Sequence, residues 1–222
     1  MSADVPAAIR ILVADDHEIV REGIRRLVEQ RPGWEICAEA KTGREAVALA
    51  QRLQPDVLVL DLTMPELNGL DATRQIKRAL PNAEILLFTG EGDEALIQAA
   101  FDAGARSYIL KTEISSHFLA AVEALSTHKP YFTPDVAEVV FNRFLTSGSG
   151  PGARLVSNEL SNREREVVQL VVEGRSNKEV AAVLGISPKT VETHRAAIMR
   201  KLRLETFSEL VRYAIRNKII EA

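Results

Sequence analysis

Five polar positions stand out because each follows a run of apolar residues. Asp15 and Asp16 follow IRILVA (9–14), and Asp61 follows DVLVL (56–60). Thr89 follows EILLF (84–88), and Lys111 follows SYIL (107–110). Carboxylates gathered at one place repel each other, and a hard divalent cation with oxygen ligands relieves that repulsion; Mg²⁺ suits such a site, with Mn²⁺ as the substitute. Asp61 can then act as a nucleophile toward phosphorus and form an acyl phosphate. Lys111 would neutralise charge on the transferring oxygens. Thr89 offers one of them a hydroxyl, and Gly90 beside it keeps the approach open. An Asp after a strand is also an ordinary cap or turn residue, so the weight rests on all five positions together.

These residues can meet only if the apolar runs are strands of one sheet. The four runs, with WEICAEA (34–40), are short, rich in Ile, Leu and Val, and mostly unbroken by polar residues. Parallel strands buried on both faces read this way. Helical patterns lie between them at 19–29, 44–53, 70–79 and 94–103. In the last segment Ile114, Phe118, Val122 and Leu125 share one helical face. Five strands each followed by a helix predict a parallel α/β sandwich with helices on both faces. The carboxyl ends of its strands converge on one edge, where ligands bind.

Composition agrees with a globular chain: 46% of the 222 residues are hydrophobic and 27% charged. No apolar run reaches the roughly 18 residues needed to span a membrane, and MSADVPAAIR has no secretory-signal pattern. No membrane association and a cytoplasmic location are therefore expected. The single cysteine, Cys37, cannot form an internal disulfide and reads as a small hydrophobe in a strand. The net charge of −3 is uneven. Residues 1–130 carry 14 Lys+Arg and 20 Asp+Glu, whereas residues 131–222 carry 14 and 11. An acidic first part and a mildly basic second part suggest two jobs.

Residues 127–157 read as a linker with a short helix begun by Pro134, in which Val136, Val139, Val140, Phe141 and Phe144 form the apolar side. SGSGPG (147–152) is its flexible part. Residues 158–222 show helices only. Ser161 with Glu164 is a capping box, and Gly174 stops that helix. Ser176 caps the next helix, which ends at Gly185. Ser187-Pro188 starts a third, and a fourth runs over about 208–217. The tight Gly-Ile-Ser turn between the second and third fits a helix-turn-helix. With Val191, Ile198 and Leu202 inward, Lys189, Glu192, Thr193, Ala196 and Arg200 face out. Glu192 could accept from cytosine, and Thr193 or Ala196 could touch a thymine methyl. Lys178, Lys189, Thr190, His194, Arg195 and Lys201 suit phosphate contacts. Glu192 has a second reading as a helix-surface partner of Lys189 or Arg195.

The set Asp15-Asp16, Asp61-x-x-Met64-Pro65-x-x-x-Gly69, Thr89 and Lys111 resembles the receiver domain of two-component response regulators over residues 8–126. The resemblance implies a flavodoxin-like (CheY-like) five-stranded parallel sheet. It makes Asp61 the phosphoacceptor and places Mg²⁺ on Asp15, Asp16, Asp61 and the Thr63 carbonyl. Thr89 and Tyr108 become the switch pair, although Tyr108 reads equally as a core-edge aromatic. Thr112 follows Lys111 where many receivers have proline. Residues 158–217 resemble the LuxR-type helix-turn-helix of the NarL/FixJ family. The matching residues are Glu164, Gly174, Ser176-Asn177-Lys178-Glu179, Ser187, Thr190-Val191, Thr193-His194 and Lys201-Leu202.

Together the two resemblances imply a sensor histidine kinase and double-stranded DNA as partners, and a homodimer when active. Leu210, Val211, Ala214 and Ile215 on the last helix are then either a dimer surface or the domain's own core. Two other readings stay open. One is an enzyme, an aspartyl-phosphate phosphatase or a flavodoxin-like cofactor enzyme. Against it, the chain has no Gly-rich phosphate loop, and Thr63 stands where a second carboxylate would be. The other is a relay whose helical part binds a protein instead of DNA.

Overall fold

The computed structural model describes residues 8–90, 92–147 and 160–220. The side chains of 143–147, Phe144 among them, and the Gly/Ser-rich run from 148 onward lie outside that description. The chain divides into two compact units, Met1–Ser149 and Gly150–Ala222. No helix among the described residues is long and apolar enough to cross a membrane.

In the first unit the strands are β1 (Ile9–Ala14), β2 (Trp34–Ala40), β3 (Val57–Asp61), β4 (Glu84–Thr89), β5 (Ser107–Leu110) and β6 (Tyr131–Phe132). They form one sheet in the order β2-β1-β3-β4-β5-β6, and every pairing is parallel. Helices α1 (Glu18–Glu29), α2 (Gly43–Leu53), α3 (Gly69–Ala79), α4 (Glu94–Ala103) and α5 (Ile114–Ser126) follow the first five strands. The period-two alternation sorts strand residues between two cores. Leu12, Leu58, Leu60, Ile85, Leu87 and Tyr108 pack with residues of α2, α3 and α4. Ile11, Val13, Val57, Val59, Leu86 and Phe88 pack with Ile24 and Val28 of α1 and Phe118 and Val122 of α5. Both faces of the sheet are covered, which is why the strands read as unbroken apolar runs.

The sheet has six strands, a correction to the five expected. Tyr131 and Phe132 pair with Ser107 and Tyr108 of β5. A strand of two residues, set between Pro130 and Pro134, is too short to show a period. The helix expected after them is α6 (Pro134–Ser147). It belongs to the first unit, because Val136 is 2% exposed within the α2–α4 core, with Val139 and Val140 packed against it. Phe132 also meets Phe101 of α4 edge-on, with ring centroids 5.4 Å apart. The first part of the expected linker is therefore packed structure.

The second unit holds α7 (Asn162–Val172), α8 (Asn177–Leu184), α9 (Pro188–Leu202) and α10 (Phe207–Arg216). Ser161, Ser176 and Thr206 each form a capping box, and Ser187 caps α9 ahead of Pro188. Gly174 and Gly185 adopt positive φ at the ends of α7 and α8, where a Cβ would be strained. Val167, Leu170, Val180, Leu184, Val191 and Ile198 form its core.

If β6–α6 is an integral part of the receiver unit, Phe132→Ala should cost that unit about 2–3 kcal/mol, less than for a fully buried aromatic. Denaturant unfolding read in each unit checks this: the receiver transition should shift and the helical one should not. An unmoved receiver transition would return this segment to the status of a loose linker.

Candidate functional site

The carboxyl ends of β1, β3, β4 and β5 bring the expected acidic site together. Asp15 is fully buried and Asp61 is 2% exposed. Lys111 Nζ lies 2.8 Å from Asp15 Oδ2 and 3.0 Å from Asp61 Oδ2. It also sits 5.0 Å from the centre of the Phe88 ring, where the negative face of the ring favours a cation. Lys111 thus bridges the two buried carboxylates with a charge-assisted contact to each. Burial first, and the charge of Asp15 second, push the Asp61 carboxyl up to about 7, against the pull of Lys111 and of the Thr63 N–H. Burial drives Lys111 down, but the nearby Asp15 and Asp61 outweigh it and leave the ammonium raised.

Asp16 is more exposed and shares this edge with His17. The His17 N–H donates to Asp15 Oδ1 at 2.7 Å, and its Nδ1 lies 2.8 Å from Asp16 Oδ1. Asp15, Asp16, His17 and Asp61 each place one ligand atom within 4.8 Å of the others. A mostly carboxylate donor set fits a hard divalent cation such as Mg²⁺. Thr89 is buried at the end of β4, and exposed Gly90 would meet nothing within 4 Å if given a Cβ. Tyr108 is fully buried, so its ring is already inward. All described peptide bonds are trans, including Lys111–Thr112.

Arg21 and Gly43, which hold this site, were missed, and Gly69 entered only as part of a motif. Buried Arg21 donates from Nη1 to the Asp15 carbonyl at 2.7 Å and pairs through Nε with Glu39 at 3.2 Å. Its signal was present: Arg21, Ile24 and Val28 lie on one stripe of α1, so a charge faces the core. A Cβ on Gly69 would stand 2.1 Å from the Asp61 carbonyl oxygen, and one on Gly43 would stand 1.9 Å from that of Leu67. Both glycines let helix starts press against the β3–α3 loop. His117 and His128 lie away from the site, on Tyr131 and Glu84 respectively.

In the helical unit, Lys189, Glu192, Thr193, Ala196 and Arg200 are all exposed on α9. Much of the expected DNA-contact set is engaged internally. Lys189 pairs with Glu192 at 2.8 Å, the second reading given to Glu192. The Thr193 hydroxyl donates to the Lys189 carbonyl, and Thr190 shares a hydrogen bond with Ser187. Arg195 reaches Asn177 Oδ1 at 2.7 Å, and Lys201 reaches Glu164 Oε2 at 2.8 Å. Both contacts fasten α9 to neighbouring helices; Lys201 is neutralised by Glu164, whereas Arg195, bonded to a neutral amide, keeps its charge. Lys178 is exposed and His194 half-buried. On α10, Leu210 and Ala214 are spent on the core, whereas Val211 and Ile215 are half-buried.

A parallel sheet with a buried Asp–Asp–Lys centre, followed by a helix-turn-helix unit, defines a phosphoryl-type receiver coupled to a DNA-binding domain. The models for the response regulator receiver domain and for bacterial regulatory proteins of the luxR family match residues 11–123 and 158–214. The transcriptional regulatory protein LiaR of Bacillus subtilis is 38% identical over 212 residues, 96% of this chain and 99% of that one. The response regulator protein VraR of Staphylococcus aureus is 35% identical over 213 residues, with the same coverage of each. Among solved structures, a LuxR-family response regulator from Aurantimonas superposes with a TM-score of 0.59 at 39% identity, covering 63% of this chain and 99% of that one. RcsB of Salmonella enterica serovar Typhimurium, bound to promoter rprA with the phosphomimetic BeF3⁻, gives 0.55 at 26% identity, covering 93% and 98%. The chain belongs to the two-component response regulators with a LuxR-type DNA-binding domain.

Two outcomes are expected at the site. Gly69→Ala should displace the β3–α3 loop, cost about 1–3 kcal/mol and slow phosphoryl uptake. Gly23→Ala, in open space on α1, should do neither; equal behaviour of the two variants in melting and labelling would refute the steric account. The second outcome follows from the raised Asp61 carboxyl. Ionising it in the folded state is unfavourable, so the stability contribution is full below about pH 4 and lost as pH rises to about 7. In metal-free buffer this should amount to on the order of 1–3 kcal/mol between pH 5 and pH 8. Asp61→Asn should remove that part of the slope in unfolding measured across pH, and an unchanged slope would assign it to other groups.

Proposed function

We propose that Asp61 is the phosphoacceptor and that its phosphorylation by a sensor histidine kinase controls DNA binding by the helical unit. The observation that carries this is the lysine ammonium held between two buried carboxylates at the end of β3. An ionised Asp61 oxygen forms the bond to phosphorus as the bond from phosphorus to the donor's histidine nitrogen breaks. Lys111, at 3.0 Å, is within reach of the added oxygens, and Thr89 would turn its hydroxyl toward one of them. Asp15, Asp16, Asp61 and the Thr63 carbonyl would hold Mg²⁺. Bound there, the ion would keep Asp61 ionised near neutral pH and neutralise charge on the phosphoryl group.

The product adds about −1.5 to −2 charges to a centre that is already acidic. Thr89 and Tyr108 would pass that change to the α4–β5 face, which β6 and α6 cover. The domain boundary is then best placed after α6, with the Gly/Ser run as the connection. In the helical unit, Glu192, Thr193 and Ala196 would face base edges, and Lys178, Lys189, Thr190 and His194 would face phosphates. Arg195 would join them while bonded to Asn177, and Lys189 and Lys201 would do so by leaving Glu192 and Glu164. RcsB has been seen as dimers on DNA, and a homodimer is proposed here for the phosphorylated state. Of the helix considered for its surface, Val211 and Ile215 are the parts that reach the exterior.

Asp61→Asn should abolish labelling by acetyl phosphate, and labelling that persisted would move the acceptor elsewhere. Phosphorylated wild-type protein should bind an operator selected from genomic fragments more tightly than unphosphorylated protein. Equal affinities would separate the receiver from control of DNA binding.

A further inference from the structure

The outward stripe of α9 carries an arginine with no role so far. An α-helix turns about 100° and rises about 1.5 Å per residue, so Lys189, Thr193, Ala196 and Arg200 fall within about 60° of one another around the axis. None of the first three offers a base edge a planar pair of hydrogen-bond donors. Lys189 is paired with Glu192, the Thr193 hydroxyl is bonded to the backbone, and Ala196 has only a methyl group. Arg200 is exposed, with no hydrogen-bond or ion-pair partner among the described residues.

Helical side chains lean toward the N-terminus, so a long side chain covers the turn before its own. For Arg200 that turn is the one presenting Ala196. The short side chains of Ala196 and Ala197 leave an open depression of about 390 Å³, lined also by Lys189, Glu192, Thr193 and Arg200. A guanidinium extended along this hollow lies nearer the base-reading N-terminal half of α9 than its own Cα does. Its planar fork matches the O6 and N7 acceptors of guanine, whereas the Ala196 methyl can offer only apolar contact.

We infer that Arg200, reaching over Ala196, reads a guanine in the major groove and is a specificity-determining residue of this regulator. The inference rests on the DNA-binding reading above and adds to it a residue and the base it recognises.

The test uses the full-length phosphorylated chain and a randomised duplex DNA library. Sequencing the retained duplexes should show a preferred site with guanine at a fixed position. Replacing that guanine should weaken wild-type binding about 5- to 150-fold, equivalent to roughly 1–3 kcal/mol. Arg200→Ala should remove the preference at that position and leave the others in place. The substitution lies on an exposed helix face and favours helix; an unchanged melting curve confirms folding. Uniform weakening on all duplexes, with the salt slope smaller by about one, would make Arg200 a phosphate contact and overturn the inference. An unaltered preference would overturn it as well. If the wild-type chain retains no duplex selectively, the DNA-binding reading itself fails and the inference fails with it.

Discussion

Two carboxylates that water has left share one ammonium, and the receiver unit is organised around that constraint. Asp15 and Asp61 are both buried and Lys111 touches both, so one positive charge faces two negative ones in a medium that screens poorly. The raised Asp61 carboxyl reflects that imbalance. Removing either partner of a buried pair leaves an uncompensated charge, which explains the rigidity of the surroundings. Arg21 holds the Asp15 carbonyl from below, itself anchored by Glu39. Gly69 and Gly43 let α3 and α2 press onto the backbone around Asp61 and Leu67. A centre held this tightly cannot spread added charge by relaxing locally. The response has to appear where the structure can move.

The structure offers a route for that response. Thr89 ends β4, and Tyr108 lies in β5 opposite Leu87. On its other side Tyr108 pairs with Phe132, which meets Phe101 of α4 edge-on and leads into α6. A change at the end of β4 therefore meets the last strand, α4 and α6 within two side-chain contacts. Because Tyr108 is already buried, a simple outward-to-inward flip has no outward state to start from here. The shift proposed for phosphorylation is better placed in the packing of α4 against α6 than in exposure of the tyrosine. Packed cores move between discrete arrangements rather than deforming continuously, and α6, which precedes the connection to the second unit, packs against α4.

The catalytic-type residues were legible because they break an apolar pattern at equivalent places: one such residue could be a cap or a turn, but five at the ends of four strands point to one site. The helices of the second unit were legible for a similar reason, since capping boxes and stop glycines are local signals. Residues that work through the backbone were harder to read. Gly43 and Gly69 matter for the side chain they lack, and only three-dimensional proximity to Leu67 and Asp61 reveals the need. Strand β6 was hidden by its two-residue length. His17 was hidden because metal-ligand spacing takes no account of the sharp turn after β1, which folds it back over Asp15 and Asp16. Pairing also escaped the sequence: Arg195 and Lys201 look like free cations until Asn177 and Glu164 are found beside them.

That pairing changes how the positive charge of the second part should be understood. Salt-dependent affinity for DNA scales with the number of phosphates a protein neutralises. With Lys189 and Lys201 each paired to a carboxylate inside the unit, one copy presents fewer unpaired cations than its composition suggests. Weak attraction to arbitrary sequence suits a regulated binder, because affinity then depends on reading bases and on joining two copies. Joining copies turns the second contact into an intramolecular event at high effective concentration. A receiver that controls pairing would in that way control occupancy of the operator without altering any residue that touches DNA.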